Sequence, residues 1–155
     1  MKIAKPTKWS LIFILVVAAG VLFFAIRMYQ DDIKAIKGFM ASYEGFDKAI
    51  SDLSLSGADD SENRAGNAAA GLGAKASLRL SSLIKNDAKL MDQAHEVADL
   101  ARKEIESLRA YKSAIQHENA DVNELAEASR ILAGKRRAAY ARFQELGGVR
   151  SLSGE

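Results

Sequence analysis

Cysteine is absent from all 155 residues, and histidine occurs only twice, as His95 and His117. Without cysteine the chain has no disulfide framework, no thiolate nucleophile and no thiolate metal ligand. That absence suits an oxidising and a reducing compartment alike, so it gives no address. Proline occurs once, as Pro6, and nothing after it requires a prolyl kink. No acidic residue occurs in the first 26 positions, and beyond them 19 basic residues face 20 acidic ones. So nearly neutral a stretch lacks the basic face that nucleic acid requires, and nucleic acid is excluded as a partner. Its wealth of Ala, Leu, Lys, Glu and Arg favours long helices.

The chain holds a single long apolar run, WSLIFILVVAAGVLFFAI, from Trp9 to Ile26. As a helix these residues cover roughly 27 Å, close to the hydrocarbon thickness of a bilayer. The run is apolar on every face, whereas a soluble core helix would be amphipathic. Trp9 and Tyr29 bracket it about 30 Å apart along a helix, and Lys8 and Arg27 flank it, as interface anchors do. Lys2, Lys5 and Lys8 could open a secretory signal, with Ala18-Ala19-Gly20 as its cleavage site. Cleavage there would leave VLFFAI as an exposed apolar terminus, so an uncleaved signal-anchor is expected. Three lysines precede the span, and Arg27, Lys34 and Lys37 follow it closely. This balance, with the N-terminal amine added, favours a cytoplasmic N-terminus and a periplasmic or extracellular C-terminal domain.

Residues 1–8 are then a basic cytoplasmic stub, 9–26 the transmembrane helix, 27–146 a helical domain and 147–155 a disordered tail. The expected fold is all-α, with the transmembrane helix continuous with an antiparallel three-helix bundle. Its first helix spans about 27–54, where Ile36, Phe39, Tyr43, Phe46, Ile50 and Leu53 make one apolar seam at alternating spacings of three and four. Glycine and polar residues over 55–73 predict a flexible loop. The second helix is expected over 74–116, with Leu80, Ala94, Ala101, Leu108 and Ile115 in one row at heptad spacing. Leu83/Ile84, Leu90/Met91, Val97/Ala98, Ile105 and Tyr111 make the other. HENAD, 117–121, is the turn. The third helix, 122–146, opens on a capping box, Asp121-x-x-Glu124, and Gly147-Gly148 stops it. Its seam is Val122, Leu125, Ser129, Leu132, Arg136, Ala139, Phe143 and Leu146. A second helix of about 64 Å would overhang partners of about 40 Å.

No catalytic, cofactor-binding or metal site emerges. Asp92-x-x-His95 resembles half of a di-iron ligand pattern, but residues before His117 supply no second half. Gly66 and Gly71 have phosphate-loop spacing, yet Leu72 and Gly73 stand where Lys and Ser or Thr are needed. Lys135-Arg136-Arg137 and Arg142 close a helix opened by acidic residues, which complements the helix dipole. In a three-helix order that basic end also points away from the membrane. Arg136, on the seam, is expected to pair with an acid across the bundle, or else to face a partner. On the back of the first helix Gly38, Ala41, Ser42, Gly45 and Ala49 form a stripe of small residues suited to close helix approach. The function expected is that of a membrane-anchored scaffold, adaptor or accessory subunit, not an enzyme. It would act by associating with another membrane or envelope protein or with itself. The alternative is an extracytoplasmic sensory or ligand-binding bundle.

Overall fold

The computed structural model describes residues 8–56, 59–117 and 122–147. They form four α-helices and no strand: α1 (Lys8–Ser56), α2 (Asp59–Ala76), α3 (Asp87–Gln116) and α4 (Val122–Gly147). The apolar run and the first amphipathic seam belong to one unbroken helix of 49 residues. Between Trp9 and Phe24 none of the described side chains is buried. This part of α1 is long and apolar enough to cross a membrane.

From Asp32 onward α1 turns one face inward, burying Ile36, Phe39, Met40, Tyr43 and Phe46. Against it lie Ala65, Ala69, Leu72 and Ala76 of α2, Leu90, Ala94, Val97, Ala101 and Ile105 of α3, and Ala139, Tyr140 and Phe143 of α4. Neighbouring helices run antiparallel. Asp32 meets Ser81, just past α2, while Gly45 and Asp52 lie beside Ser61 and Arg64 near its start. Glu62 of α2 pairs with Arg109 and Lys112 of α3, and Ser107 of α3 meets Ser129 of α4. The rings of Phe39 and Phe143, 4.7 Å apart, bring α4 back to α1.

Two sequence expectations are corrected here. The segment 55–73 is not a loop: α1 continues to Ser56, and most of the remainder is α2. Glycines 66, 71 and 73 lower its helix propensity, but Ser61, Ala65, Ala69, Leu72 and Ala76 recur at spacings of three and four and all are buried. Tertiary burial of a small-residue stripe outweighs propensity. Nor does one helix span 74–116. The chain leaves the helix after Ala76 and re-enters it at Asp87. Asn86 adopts the left-handed conformation (φ 62°), which asparagine tolerates better than most residues. Asp32, buried on α1, accepts the Ser81 backbone N–H at 3.2 Å and its hydroxyl, fixing the reversal. Among the described residues the helices therefore number four, and the projected overhang disappears. The third expected helix is α4, one residue longer than foreseen. The capping residue Asp121, most of the HENAD turn, the basic stub up to Thr7 and the tail from 148 lie outside the described residues.

Candidate functional site

The heptad row of α4 places Arg136 in the middle of the domain, with no exposed surface. An unpaired guanidinium could not remain there. Its Nε donates to Glu104 Oε2 at 2.6 Å, Nη1 to the Tyr43 hydroxyl at 2.7 Å and Nη2 to Asp47 Oδ1 at 2.9 Å. The guanidinium carbon also lies 4.9 Å from the Phe46 ring centre and 5.2 Å from that of Tyr43. Burial alone would lower the Arg136 pKa, but the hydrogen bond and charge of Glu104 outweigh it and the net shift is upward. Burial also pushes the Tyr43 hydroxyl up to about 12, against the opposing pull of Arg136. The centre joins α1, α3 and α4 through charge-assisted bonds and is structural in character. Arg136 thus pairs across the domain, as its seam position suggested. The partner was visible too: Glu104 follows Leu90 and Val97 at heptad spacing, so one seam holds an acid and the other a base.

Towards the far end from the apolar run the core thins. Ile50 and Leu53 of α1, Leu108 and Tyr111 of α3 and Leu125 and Leu132 of α4 are only half-buried, and Ile115 is 51% exposed. Between these helices lies an apolar groove of about 450 Å³, lined by Ile50, Leu53, Ile105, Leu108, Tyr111 and Ile115. Glu62, Arg109, Lys112 and Arg130 also contribute to its walls. The row Ala94, Ala101, Leu108, Ile115 explains its shape: Ala94 and Ala101 are wholly covered by this chain, Leu108 partly, Ile115 least. Leu108 and Ile115 belong to the row in the sequence; that the other described residues leave them partly open depends on where α1 ends and α2 and α4 begin.

The small-residue stripe of α1 is divided by its neighbours. Ala49 packs partly against the core, whereas Ala41 and Gly45 are exposed and Gly38 and Ser42 half-buried. A Cβ at Gly38 or Gly45 would meet nothing within 4 Å, so no close approach within the chain requires either glycine. The Ser42 hydroxyl donates to the Gly38 carbonyl at 2.9 Å, inside the same helix. At the ends of the apolar run Trp9 is 81% and Tyr29 49% exposed, and Arg27 is exposed. The helix backbone includes Lys8, whose side chain is outside the described set.

His95 is exposed on α3, one turn before Asp99, and lines an open hollow of about 560 Å³ between α2 and α3 with Asn63, Asn67 and Arg102. Bonds to Lys103 and Arg102 hold the Asp99 carboxyl below its usual pKa, an arrangement of solvated i,i+3 and i,i+4 pairs. Among the described residues no group of three or more His, Cys, Asp or Glu is placed to hold a metal ion. Gly66 and Gly71 sit within helix α2 instead of a phosphate-cradling loop. A Cβ at Gly66 would stand 3.0 Å from Arg109 Nη2, so this glycine gives room for the arginine that pairs with Glu62.

No family model, curated protein or solved structure matches the chain.

Proposed function

We propose that this protein is a single-pass membrane adaptor. Residues 9–26 cross the bilayer, the N-terminus is cytoplasmic, and a helical bundle outside the cytoplasm docks a helix of another envelope protein or of a second copy. The proposal assigns it no catalytic step and no cofactor. The observation that carries it is the half-covered heptad row of α3. Ala94 and Ala101 are fully buried by this chain's helices, and Leu108 and Ile115 continue the same row into an open apolar groove. An unfinished seam of helical period is the surface an amphipathic helix completes. Because α1 is unbroken from the apolar run to Ser56, the groove is held at the end away from the bilayer.

The test is Ile115→Glu, with Leu108→Asp beside it, in full-length protein extracted in mild detergent. Helicity should be kept while self-association, read by sedimentation, or recovery of a defined envelope protein is lost. Retention of both associations by both variants would sink the docking role. Topology is tested by Ser113→Cys, exposed on α3 and the sole cysteine in such a variant. It should react with an impermeant thiol reagent in intact cells, and labelling only after lysis would reverse the orientation. The ligand-binding alternative draws on the groove's size, since about 450 Å³ falls within the range of small-molecule sites. Saturable binding of an apolar fluorophore, lost in Ile115→Glu while sedimentation is unchanged, would favour it over docking.

A further inference from the structure

The reversal between α2 and α3 lies on the side of the domain from which the apolar run emerges. We propose that this segment, residues 77–86, together with the start of α3, rests on the lipid headgroup surface of the membrane that α1 enters. The inference builds on the reading that residues 9–26 cross a bilayer.

Its height follows from one contact. Ser81 is bonded to Asp32, and Asp32 stands six residues beyond Ile26, about 9 Å along the helix. The headgroup layer on each face of a bilayer is roughly 5–8 Å deep. The segment is therefore pinned at the outer edge of that layer, and long basic side chains can span what remains. The basic groups of α4 stand higher. Arg137 is beside the Tyr43 level, some 26 Å beyond Ile26, and Arg142 is beside the Phe39 level, about 20 Å beyond.

The chemistry of the segment suits anionic lipid. Arg79, Lys85 and Lys89 are all exposed, against a single acid, Asp87, whose carboxylate accepts the Ala88 N–H. On the adjoining turn of α1, Asp31 is paired with Lys34, and Asp32 is taken up by Ser81. Leu83 is 49% exposed between these cations, and basic residues around an open apolar side chain are the composition of a membrane-surface element.

Because the protein contains no cysteine, single nitroxide labels can report each level separately. Leu83→Cys, Ser113→Cys and Val17→Cys are each labelled in full-length protein reconstituted into zwitterionic vesicles and into vesicles with added phosphatidylserine. At a surface potential of about −30 mV a singly charged anionic relaxant is depleted roughly threefold, so collisions at position 83 should fall about threefold on adding phosphatidylserine. Position 113 lies about 39 Å along α3 from Asp87, near five Debye lengths, and should not respond. Position 17 should relax with oxygen and be inaccessible to the aqueous reagent in both vesicles. Substituting Arg79, Lys85 and Lys89 together by Gln should restore the zwitterionic rate at 83 and leave 17 unchanged. If 83 behaves like 113 while 17 stays in hydrocarbon, the surface contact is overturned and the span survives. Aqueous access at 17 would overturn both.

Discussion

Removing the Arg136 side chain tests the centre of the domain most directly. Arg136→Ala deletes three hydrogen bonds at 2.6, 2.7 and 2.9 Å and leaves Glu104, only 2% exposed, as a buried carboxylate without its cation. Breaking such a pair from one side typically costs about 3–5 kcal/mol, because the remaining charge must be neutralised or the site flooded. With unfolding entropy near 2.1 cal/mol/K per residue, a domain of about 120 residues loses roughly 4 °C of melting temperature per kcal/mol. The expected fall is thus about 12–20 °C, followed by far-UV circular dichroism in detergent with urea titration as a check. Glu104→Leu alone should also be severe, since it leaves the buried guanidinium with only the partly exposed Asp47 as counter-ion. The double variant Arg136→Met with Glu104→Leu should be much milder than the sum of the two, because an apolar pair in place of a buried ion pair is often neutral or stabilising. Additive losses, or a wild-type melting point for Arg136→Ala, would refute the ion-paired centre.

The Tyr140 hydroxyl is buried without a hydrogen-bond partner among the described residues, although Gln144, one turn on, is near enough to ease its ionisation slightly. An unsatisfied buried group costs about 1–3 kcal/mol, so Tyr140→Phe should raise the urea midpoint, and a lower one would show that the hydroxyl is hydrogen-bonded. Tyr43 and Tyr140 are both raised from 10.0 to about 12, mainly by burial. The unfolded chain therefore loses these protons first, and stability that is intact below pH 10 should decline as pH climbs towards 12. A flat profile across that window in alkaline melts would argue that both rings are solvated. Gly71→Ala should stabilise α2 by up to about 1 kcal/mol, since a Cβ there meets nothing within 4 Å and alanine is the better helix former. Lost helicity in that variant would argue against α2 as a helix.

Much of the packing was legible because period and chemistry agreed. The α1 seam from Ile36 to Phe46 is buried where its spacing placed it, and the α4 heptad carries Ser129, Arg136, Ala139 and Phe143 inward. What misled was composition at two points. Over 59–76 glycine and asparagine argue for a loop, and only contact with α1 and α3 makes a helix of them; no local propensity records that contact. Over 77–86 the apolar spacing of Leu80, Leu83 and Ile84 imitates a helix, yet Ile84 is buried and Leu83 open. The cue that competes with it is Ser81-Ser82 followed by Asn86-Asp87, a turn and a helix start, and a distant carboxylate on Asp32 decides between them.

Helix number has a consequence larger than either boundary. With three helices the last one leads away from the apolar run; with four it returns towards it. Phe143 lies against Phe39, so the end of α4 and the reversal at 77–86 share the side of the domain from which the run emerges. Ile50 and Leu53 of α1, Glu62 of α2, Leu108 and Ile115 of α3 and Arg130 of α4 come together at the opposite side, around the groove. The domain is thereby polarised. Its aromatic core and the Asp32 clasp occupy the half nearer the apolar run, and the half-covered seams of Ile50, Leu53, Leu108 and Ile115 occupy the other half. Arg136 and Glu104 stand between the two, and replacing them would test whether the groove depends on that fixed centre. If it does, Arg136→Met with Glu104→Leu should keep the fold yet weaken whatever Ile115→Glu weakens. If association is unchanged in a well-folded double variant, the groove is set by helix length alone.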